Sequence, residues 1–411
     1  MKYGLIGEKL GHSFSKEIHS LIADYEYNLI EIEKPDLRAF MTSRDFLGIN
    51  VTIPYKKDVM EYLDYIDKDA KSIGAVNTIV NRNGKLFGYN TDFYGLKSLI
   101  LKAKIDVLGK RAVILGAGGT SNTAKAVLES LGAKKVLKVA RTKREEAITF
   151  DELYEIASSV DVIVNATPVG TFPNLDDAPV DLQKFTDLSG VIDVVYNPLE
   201  TKLVKTAKSF GIKAEGGLYM LVAQAVKASE IFLDTEYDKS VLEGAFNKVY
   251  LDKQNVVLTG MPASGKSTVG KILAKKLNRE FIDTDLLIEE ETKKTIPQIF
   301  KEVGEVGFRK IEKACVKKAS ALSGKVIATG GGAILDSENI FNLKQNGKIF
   351  FIDRPLKNLV PTSDRPLSLD KDAIEKRYNE RYDIYVKTAD KKIDAECSAQ
   401  EVADRILRSI K

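Results

Sequence analysis

Short runs of apolar and β-branched residues alternate with longer amphipathic stretches along the whole chain. This alternation is typical of parallel sheets covered by helices and predicts an α/β fold. A first series of strands is predicted at residues 2–7, 47–52, 75–80, 111–115, 135–140, 161–165 and 190–195. A second series is predicted at residues 255–259, 325–329 and 348–352.

Two of these strands run directly into glycine-rich turns, and a helical pattern follows each turn. Such a unit of strand, turn and helix opens a nucleotide-binding domain, so we predict two of them. The chain divides accordingly into a mixed α/β lobe at residues 1–103, a Rossmann-like dinucleotide-binding lobe at 104–245 and a P-loop domain with a parallel sheet at 254–411. Residues 214–245, with a helix predicted over 214–233, are expected to pack back on the first lobe.

The charge composition narrows the possible functions. The 411 residues include 62 Lys and Arg and 58 Asp and Glu, which gives a net charge of +4 with no basic block. This balance argues against nucleic acid or a membrane surface as a partner, because binding to either draws on bulk positive charge. No apolar run reaches the roughly 18 residues of a membrane span, and we expect a cytoplasmic protein.

Histidine and cysteine are too rare for several common active sites. His12, His19, Cys315 and Cys397 are the only residues of these two types. Their scarcity nearly excludes four-ligand zinc sites and Ser-His or Cys-His nucleophiles. We interpret both histidines as surface or packing residues, so proton chemistry falls to Lys, Asp, Glu or Tyr.

The first glycine-rich turn has the composition of a dinucleotide site. Gly116, Gly118 and Gly119 follow the strand at 111–115 and precede a helix predicted over 123–131. Glycines allow a tight turn and a close approach of the backbone to a pyrophosphate at the helix N-terminus. A plain tight turn without a ligand is the alternative.

The strand at 135–140 ends without an acidic residue. Asp or Glu at this point usually binds the ribose 2′-hydroxyl of NAD, whereas here Arg141, Thr142 and Arg144 follow. Guanidinium groups bind a 2′-phosphate through charge-assisted, bidentate bonds. We therefore prefer NADP(H) over NAD as the cofactor; the alternative is a solvated run of charges.

A lysine and an aspartate in the first lobe are candidates for proton transfer. Lys56 lies just past a strand end, and Asp92 lies at the start of a helical run. A ketone that accepts a hydride needs a proton donor, and a lysine held by an aspartate can serve in a chain so poor in histidine. From spacing alone, an unrelated surface lysine and a helix-capping aspartate fit equally well.

Four sequence blocks resemble shikimate dehydrogenase over about residues 1–245. They are Gly-His-Ser-Phe-Ser at 11–15, Asn-Val-Thr-Ile-Pro-Tyr-Lys at 50–56, Ala-Val-Asn-Thr at 75–78 and Asn-Thr-Asp at 90–92. The resemblance implies that Lys56 and Asp92 form a catalytic dyad. It also implies that 3-dehydroshikimate or shikimate is bound by Ser13, Ser15, Thr52, Asn77 and Gln224. Thr167, Tyr196, Gly217 and Met220 would lie on the nicotinamide side, and Ala140 departs from the Asn common in the family.

The second glycine-rich turn has the full spacing of a Walker A loop. It follows the strand at 255–259, precedes a helical run to Leu277 and contains Gly260, Ser264, Gly265, Lys266, Ser267 and Thr268. In such a loop the backbone amides surround the phosphates of ATP, the lysine reaches the β and γ oxygens, and the serine hydroxyl ligates Mg²⁺.

Further polar residues follow the P-loop and are candidates for binding a phosphoryl acceptor. Asp283 and Asp285, two positions apart on a predicted strand, would share a face and divide between magnesium and an acceptor hydroxyl. Arg309 supplies a cation on a helix, with a helix-surface charge as the alternative. The triplet 330–332 is three glycines that allow close approach to a small ligand.

These blocks resemble shikimate kinase over about residues 254–411. The resemblance implies that Asp283 supports Mg²⁺, that Asp285 binds the acceptor diol and acts as a base, and that Arg365 neutralises the transferring phosphate. It also implies that shikimate is held by Arg309, Gly330, Gly331, Gly332 and Arg381. Two departures are Ala263, in place of a common glycine, and the absence of an arginine from residues 355–362.

Both resemblances concern the same metabolite, because the first reaction makes shikimate and the second consumes it. We therefore predict a bifunctional enzyme with NADP(H), ATP and Mg²⁺ as cofactors. Two alternatives stay open: a catalytically silent metabolite sensor, and a single-activity enzyme with a regulatory second domain. The sequence does not indicate an oligomeric state.

Overall fold

The computed structural model describes residues 2–11, 14–360 and 370–410. The chain forms two compact units, Met1–Val249 and Tyr250–Lys411. The two units are described separately below. Each of them contains at least one sheet whose central strands are parallel and buried, as the alternating pattern predicts.

The first unit begins with a lobe built on a mixed six-stranded sheet. Its strands are β1 (Tyr3–Gly7), β2 (Tyr27–Glu31), β3 (Gly48–Val51), β4 (Tyr65–Ile66), β5 (Thr78–Arg82) and β6 (Lys85–Tyr89). Its helices are α1 (Ser15–Ile22), α2 (Leu37–Ser43), α3 (Lys68–Ile73) and α4 (Thr91–Lys102). The strand order is β2-β1-β3-β5-β6-β4, with β5 antiparallel to both β3 and β6.

The hairpin between β5 and β6 differs from the predicted single strand at 75–80. Asn83 and Gly84, with φ of 54° and 82°, form the turn that reverses the chain. An Asn-Gly pair with positive φ at both positions matches the twist of a two-residue hairpin, so it fixes the register of both strands. Strand β5 begins at Thr78 instead of residue 75. Strand β6 was not predicted, although the Asn-Gly pair is a signal for a hairpin.

The second lobe of the first unit carries a parallel six-stranded sheet. Its strands are β7 (Arg111–Leu115), β8 (Lys135–Val139), β9 (Ala147–Ile148), β10 (Val162–Asn165), β11 (Gly190–Asp193) and β12 (Lys213–Glu215). Its helices are α5 (Gly119–Ser130), α6 (Phe150–Glu155) and α7 (Lys202–Ser209). In the order β12-β11-β10-β7-β8-β9, the chain first adds strands from β7 toward one edge of the sheet and then adds strands from β10 toward the other edge. This is the doubly wound arrangement, which binds ligands at the point where the succession of strands changes sides.

Two further helices, α8 (Leu218–Leu233) and α9 (Lys239–Lys253), follow the second lobe. The helix predicted over 214–233 was wrong at its start, because Ala214 pairs with Val191 as part of β12. The glycines at 216 and 217 separate this strand from α8. Helix α8 is apolar on most sides because it packs against α4 and α1 of the first lobe.

The second unit is a five-stranded parallel sheet with helices on its faces. Its strands are β13 (Asn255–Thr259), β14 (Phe281–Asp283), β15 (Val326–Ala328), β16 (Gly347–Asp353) and β17 (Lys391–Asp394). Its helices are α10 (Lys266–Leu277), α11 (Thr284–Thr292), α12 (Ile296–Ala321), α13 (Ser337–Asn346), α14 (Lys371–Thr388) and α15 (Ala399–Ile410). The order β14-β15-β13-β16-β17 places the strand before the Walker A loop in the centre. In the described part of the chain, no helix is both long enough and apolar enough to span a membrane.

Candidate functional site

The first lobe borders a cavity of about 450 Å³ that collects most of the predicted substrate ligands. Its wall includes Ser15, Thr52, Lys56, Asn77, Asp92, Tyr196 and Gln224. They meet because β3 and β5 are antiparallel, which brings the carboxyl end of one strand beside the amino end of the other. The N-terminus of α4 adjoins the same point, since the backbone N–H of Thr91 donates to Asn77 Oδ1 at 2.7 Å.

Lys56 and Asp92 form an ion pair in this cavity. The Nζ atom lies 2.5 Å from Asp92 Oδ2, and both side chains are partly buried. Asp92 does not cap helix α4, because the side chain of Asn90 accepts from the N–H of Phe93 and is the cap. The alternative of an unrelated surface lysine and a capping aspartate is therefore wrong.

Two amides of the cavity are fixed by buried hydrogen bonds. Asn77 Oδ1 accepts from Thr91 N and from Thr78 Oγ1, the latter at 3.1 Å. Gln224 Nε2 donates to the carbonyl of Leu221, and its Oε1 accepts from Thr91 Oγ1 at 3.4 Å. Both side chains are thus held in place before any ligand arrives, which lowers the entropy cost of binding.

Asn50 also lines this cavity and was not singled out as a ligand. Its Oδ1 accepts from Tyr27 Oη at 2.7 Å, and its Nδ2 donates to Thr78 Oγ1 at 2.9 Å. His19 stacks on the Tyr27 ring at 3.9 Å between centroids, and burial lowers the pKa of His19 to about 3. The interpretation of His19 as a packing residue is therefore correct. A polar residue in a strand otherwise apolar was the available signal for Asn50.

The predicted NADP residues lie at the carboxyl edge of the second sheet. Gly116, Gly118 and Gly119 follow β7, Arg141, Thr142 and Arg144 follow β8, and Thr167, Tyr196 and Gly217 follow β10, β11 and β12. This edge is where doubly wound sheets bind dinucleotides. The side chains of Arg141 and Arg144 are exposed, so a phosphate can reach them. Met220 belongs to α8 and is buried.

Asn165, the last residue of β10, holds the turn that follows this strand through side-chain hydrogen bonds. Its Oδ1 accepts from both Thr167 N and Thr167 Oγ1, at 3.0 and 2.6 Å. Its Nδ2 donates to the buried carboxylate of Asp193 at 2.9 Å. Thr167 is therefore fixed by an internal bond, which leaves its backbone on the edge of the cofactor region.

The second unit has its own cavity of about 540 Å³ beside the Walker A loop. Its wall includes Lys266, Ser267, Asp283, Asp285, Arg309, Gly330, Gly331, Gly332 and Arg381. These are the predicted kinase residues other than Arg365, which lies outside the described residues, and the outer loop residues Gly260, Ser264, Gly265 and Thr268. Lys266 Nζ donates to the carbonyls of Gly260 and Met261, each at 2.9 Å, so the lysine lies over the loop.

Asp283 and Asp285 reach the cavity in a different way from the one predicted. The strand ends at Asp283, and Thr284 begins helix α11, so the two acids do not share the face of one strand. Asp283 is the helix cap: its Oδ1 accepts from Asp285 N at 3.0 Å. Its Oδ2 accepts from Ser267 Oγ at 2.6 Å. The helical turn, rather than an extended pleat, turns Asp285 toward the cavity.

Ser267 and Asp283 have the donor chemistry that magnesium requires. Both present oxygen, and Mg²⁺ typically takes one or two protein oxygens together with waters and substrate phosphates. Within residues 2–11, 14–360 and 370–410, no cluster of three or more His, Cys, Asp or Glu side chains has metal-binding geometry. The Ser267 and Asp283 oxygens, 2.6 Å apart, fit the protein side of such a site, in which a nucleotide and waters would supply the other ligands.

Two arginines and a glutamate line the far side of this cavity. Arg309 Nη1 pairs with Glu312 Oε2 at 2.7 Å, and its Nη2 pairs with Glu305 at 2.9 Å. Burial raises the pKa of Glu312, which was missed in the sequence, and lowers the pKa of Arg381. Arg381 donates to the carbonyl of Gly331 at 3.2 Å. Two guanidinium groups thus face a space that suits a small carboxylate.

Polar side chains approach the backbone of the glycine triplet closely. A Cβ on Gly332 would lie 2.2 Å from Arg309 Nη1, and a Cβ on Gly330 would lie 2.5 Å from Asp285 Oδ1. Tyr385, also missed in the sequence, donates its hydroxyl to the carbonyl of Gly331 at 2.5 Å and lies 2.9 Å from the carbonyl of Gly260. The triplet and the P-loop are therefore held together by one buried phenol. Of the remaining site predictions, Ser13 and Arg365 lie outside the described residues, as does His12.

Comparison with known proteins identifies the first unit. Residues 5–79 match the sequence model of the shikimate dehydrogenase substrate binding domain. The chain is 41% identical over 262 residues to shikimate dehydrogenase (NADP(+)) of Clostridium beijerinckii, and the match covers 60% of this chain and 96% of that protein. The chain belongs to the shikimate dehydrogenase family.

Solved structures of shikimate dehydrogenases agree with this fold. Shikimate dehydrogenase 1 of Peptoclostridium difficile is 42% identical, with a TM-score of 0.55 and with 60% of this chain and 97% of that chain covered. Shikimate 5-dehydrogenase of Thermus thermophilus, solved in complex with NADP(H) and shikimate, is 28% identical, with a TM-score of 0.55 and coverage of 60% and 99%. Beyond the shikimate dehydrogenase part, residues 262–411 match the shikimate kinase family, so the chain ends in a shikimate kinase domain.

Proposed function

We propose that the chain catalyses two consecutive reactions: NADPH-dependent reduction of 3-dehydroshikimate to shikimate, and ATP-dependent phosphorylation of shikimate to shikimate 3-phosphate. The observation that carries this proposal is that each unit has a cavity of its own that is lined by reactive side chains. Lys56 and Asp92 lie in the first cavity, and Lys266, Ser267 and Asp285 lie in the second.

In the first cavity Lys56 acts as the proton donor to the carbonyl oxygen of the substrate. The predicted NADP residues at the edge of the second lobe would hold NADPH, which would supply the hydride. As negative charge develops on the substrate oxygen, the Lys56 ammonium transfers a proton to it, and Asp92 keeps the ammonium oriented at 2.5 Å. Asn77 and Gln224 orient the ring through amide groups that are already fixed.

In the second cavity the chain positions two substrates and stabilises charge. Lys266 neutralises phosphate oxygens, and Ser267 with Asp283 would hold a magnesium ion, which would supply positive charge to stabilise the phosphates during transfer. Asp285 accepts a hydrogen bond from the hydroxyl of shikimate that attacks the γ-phosphorus of ATP. It takes the proton of that hydroxyl as the new oxygen–phosphorus bond forms and the bond from the phosphorus to the departing oxygen of ADP breaks. Arg309 and Arg381 bind the carboxylate of shikimate. Arg365 is proposed to neutralise the transferring phosphate.

One incubation tests the whole proposal. The full-length chain is mixed with 3-dehydroshikimate, NADPH, ATP and MgCl₂, and the products are identified by mass spectrometry. Each reaction is also assayed alone, as shikimate-dependent reduction of NADP⁺ and as shikimate-dependent release of ADP. We expect both activities and accumulation of shikimate 3-phosphate. Ligand binding without turnover at either site would instead favour a metabolite sensor, and turnover at one site only would favour a single-activity enzyme.

A further inference from the structure

Arg354 stands beside the phosphate-binding loop of the second unit. It directly follows β16, which runs parallel to β13 with Phe351 opposite Thr259, so both strands end at the same edge of the sheet. The Nη1 atom of Arg354 lies 3.9 Å from the position that a Cβ would take on Gly265. The guanidinium group thus borders the loop whose backbone amides are expected to surround the phosphates.

The guanidinium group of Arg354 has no hydrogen-bond or ion-pair partner in the part of the chain that the structure describes. Its Nε atom is buried without an acceptor. The adjacent carboxylate of Asp353 is already engaged, because its Oδ2 lies 3.1 Å from Lys392 Nζ and 3.1 Å from Tyr382 Oη. A buried donor without an acceptor costs free energy, and a cation without a counterion costs more.

An anion at the P-loop would satisfy this arginine. Polyphosphate is the anion that a Walker A loop binds, and guanidinium groups bind phosphate oxygens through two parallel N–H donors. The stretch at residues 355–362 contains no arginine, whereas Arg354 immediately precedes it. On this side of the P-loop the arginine thus lies at the end of β16, and not in the segment at residues 355–362.

We propose that Arg354 is a nucleotide ligand whose guanidinium group binds the phosphates of ATP beside Gly265. This inference rests on the proposed kinase activity and adds a residue to its nucleotide site. Binding of the phosphates by Arg354 can be distinguished from a contact between Arg354 and the adenine ring. If Arg354 contacted only the adenine ring, its removal would leave the affinity for inorganic phosphates unchanged.

The test compares Arg354→Ala and Arg354→Lys with Arg408→Ala, which removes the same charge from the exposed side of α15 in the same unit. The KM for ATP is measured in the full-length chain, together with the inhibition constants of ADP and of inorganic pyrophosphate against ATP. Loss of a charged hydrogen bond predicts that all three constants rise roughly 10- to 100-fold in Arg354→Ala. Arg354→Lys is expected to recover part of the loss, because it keeps the charge without the planar pair of donors.

The dehydrogenase activity of the same samples, the KM for shikimate and the melting temperature report whether the variants are folded and are expected not to change. An unchanged KM for ATP in Arg354→Ala would overturn the proposal. A rise for ATP and ADP without a rise for pyrophosphate would overturn it as well, because that pattern belongs to a base contact. If the unsubstituted chain showed no phosphorylation, the proposed function would fail, whereas direct calorimetric binding of ADP and pyrophosphate would still decide the role of Arg354.

Discussion

Lys56 and Asp92, which are 36 residues apart in the chain, meet in one cavity with 2.5 Å between Nζ and Oδ2. The lysine is the only side chain of this pair that can donate a proton to a developing alkoxide. The aspartate fixes where that proton lies. A substitution of either residue should therefore act on the hydride transfer reaction and leave the other unit untouched.

Lys56→Ala should lower the rate of shikimate oxidation by about 10²- to 10⁴-fold, which is the usual contribution of general acid–base catalysis. The rate is measured as NADP⁺ reduction at saturating shikimate. Phosphorylation of shikimate by the same sample should be normal. The matched control is Lys57→Ala, because Lys57 is the adjacent lysine and its side chain is exposed. Shikimate oxidation at the unsubstituted rate in Lys56→Ala would refute the assigned role.

Lys266→Ala should produce the opposite separation of activities. The Lys266 ammonium group is buried against the carbonyls of the P-loop and is placed to neutralise phosphate oxygens. Removal of such a preorganised charge should lower phosphorylation by about 10²- to 10³-fold or more. ADP release is the measurement, and Lys275→Ala, on the exposed side of the same helix, is the control. A comparable loss of dehydrogenase activity would mean that the variant is misfolded.

Chelation of magnesium should separate the two activities without any substitution. EDTA should abolish phosphorylation and leave NADP⁺ reduction unchanged. The reason is that the proposed magnesium ligands, Ser267 and Asp283, belong to the second cavity, whereas the proposed reduction uses no metal ion. Ser267→Ala should raise the concentration of MgCl₂ that gives half-maximal phosphorylation. Full phosphorylation in EDTA, or an unchanged magnesium requirement in Ser267→Ala, would contradict this assignment.

The sequence predicted the central strands better than the edges of the sheets. β7, β10 and β13 are buried on both faces, so they read as continuous apolar runs. The edge strands β2 and β17 alternate buried and exposed residues or are mostly exposed, and no strand was predicted there. Short strands at a sheet edge carry little apolar pattern of their own, because half of their surface faces water.

The motifs predicted which residues would meet, but not how. From spacing alone, a pair formed by Lys56 and Asp92 was one of two equally good interpretations. The fold decides between them, because it places the two side chains in contact. Tyr385 escaped prediction because its bond to Gly260 joins residues 125 positions apart, a distance at which no local pattern exists. Asp283 and Asp285 were placed correctly in the cavity for the wrong reason, since a helix cap competes with an extended strand at an Asp.

Tyr27→Phe should show that the wall of the first cavity depends on a residue behind it. The Tyr27 hydroxyl donates to Asn50 Oδ1, and both residues are buried. Loss of this donor leaves the Asn50 oxygen unsatisfied, which should lower the free energy of unfolding by about 1–3 kcal/mol. The KM for shikimate should rise more than kcat falls, because Asn50 lines the cavity and is not one of the two residues proposed to transfer a proton.

The control for this variant is Tyr65→Phe, since Tyr65 is half exposed. Urea unfolding reports the stability, and steady-state kinetics report the KM. A loss of stability with an unchanged KM would show that Tyr27 is purely structural. No change in either quantity would show that the bond between Tyr27 and Asn50 contributes neither to stability nor to substrate binding.

Asp193→Asn should remove one pH dependence of the first unit. The carboxylate accepts from Asn165 Nδ2 and Val195 N through Oδ1 and from Thr201 Oγ1 through Oδ2, yet burial raises the pKa of Asp193 to about 6. Because the unfolded chain has a pKa near 3.8, the folded state binds the proton more tightly between about pH 4 and pH 6. The stability from this group is therefore complete below pH 4 and is lost as the pH rises through 6.

Asparagine keeps the two bonds to Oδ1 and presents an amide to Thr201 Oγ1, which can accept, so the variant should fold. Its free energy of unfolding, relative to that of the unsubstituted chain, should increase by about 3 kcal/mol between pH 4 and pH 7, which is the energy of a shift of about two pKa units. Urea unfolding across this range is the measurement, with loss of shikimate oxidation marking the transition of the first unit. Asp187→Asn, at an exposed position, is the control. A difference that stays constant with pH for Asp193→Asn would mean that the buried carboxylate is ionised throughout, held by its three donors against the cost of burial.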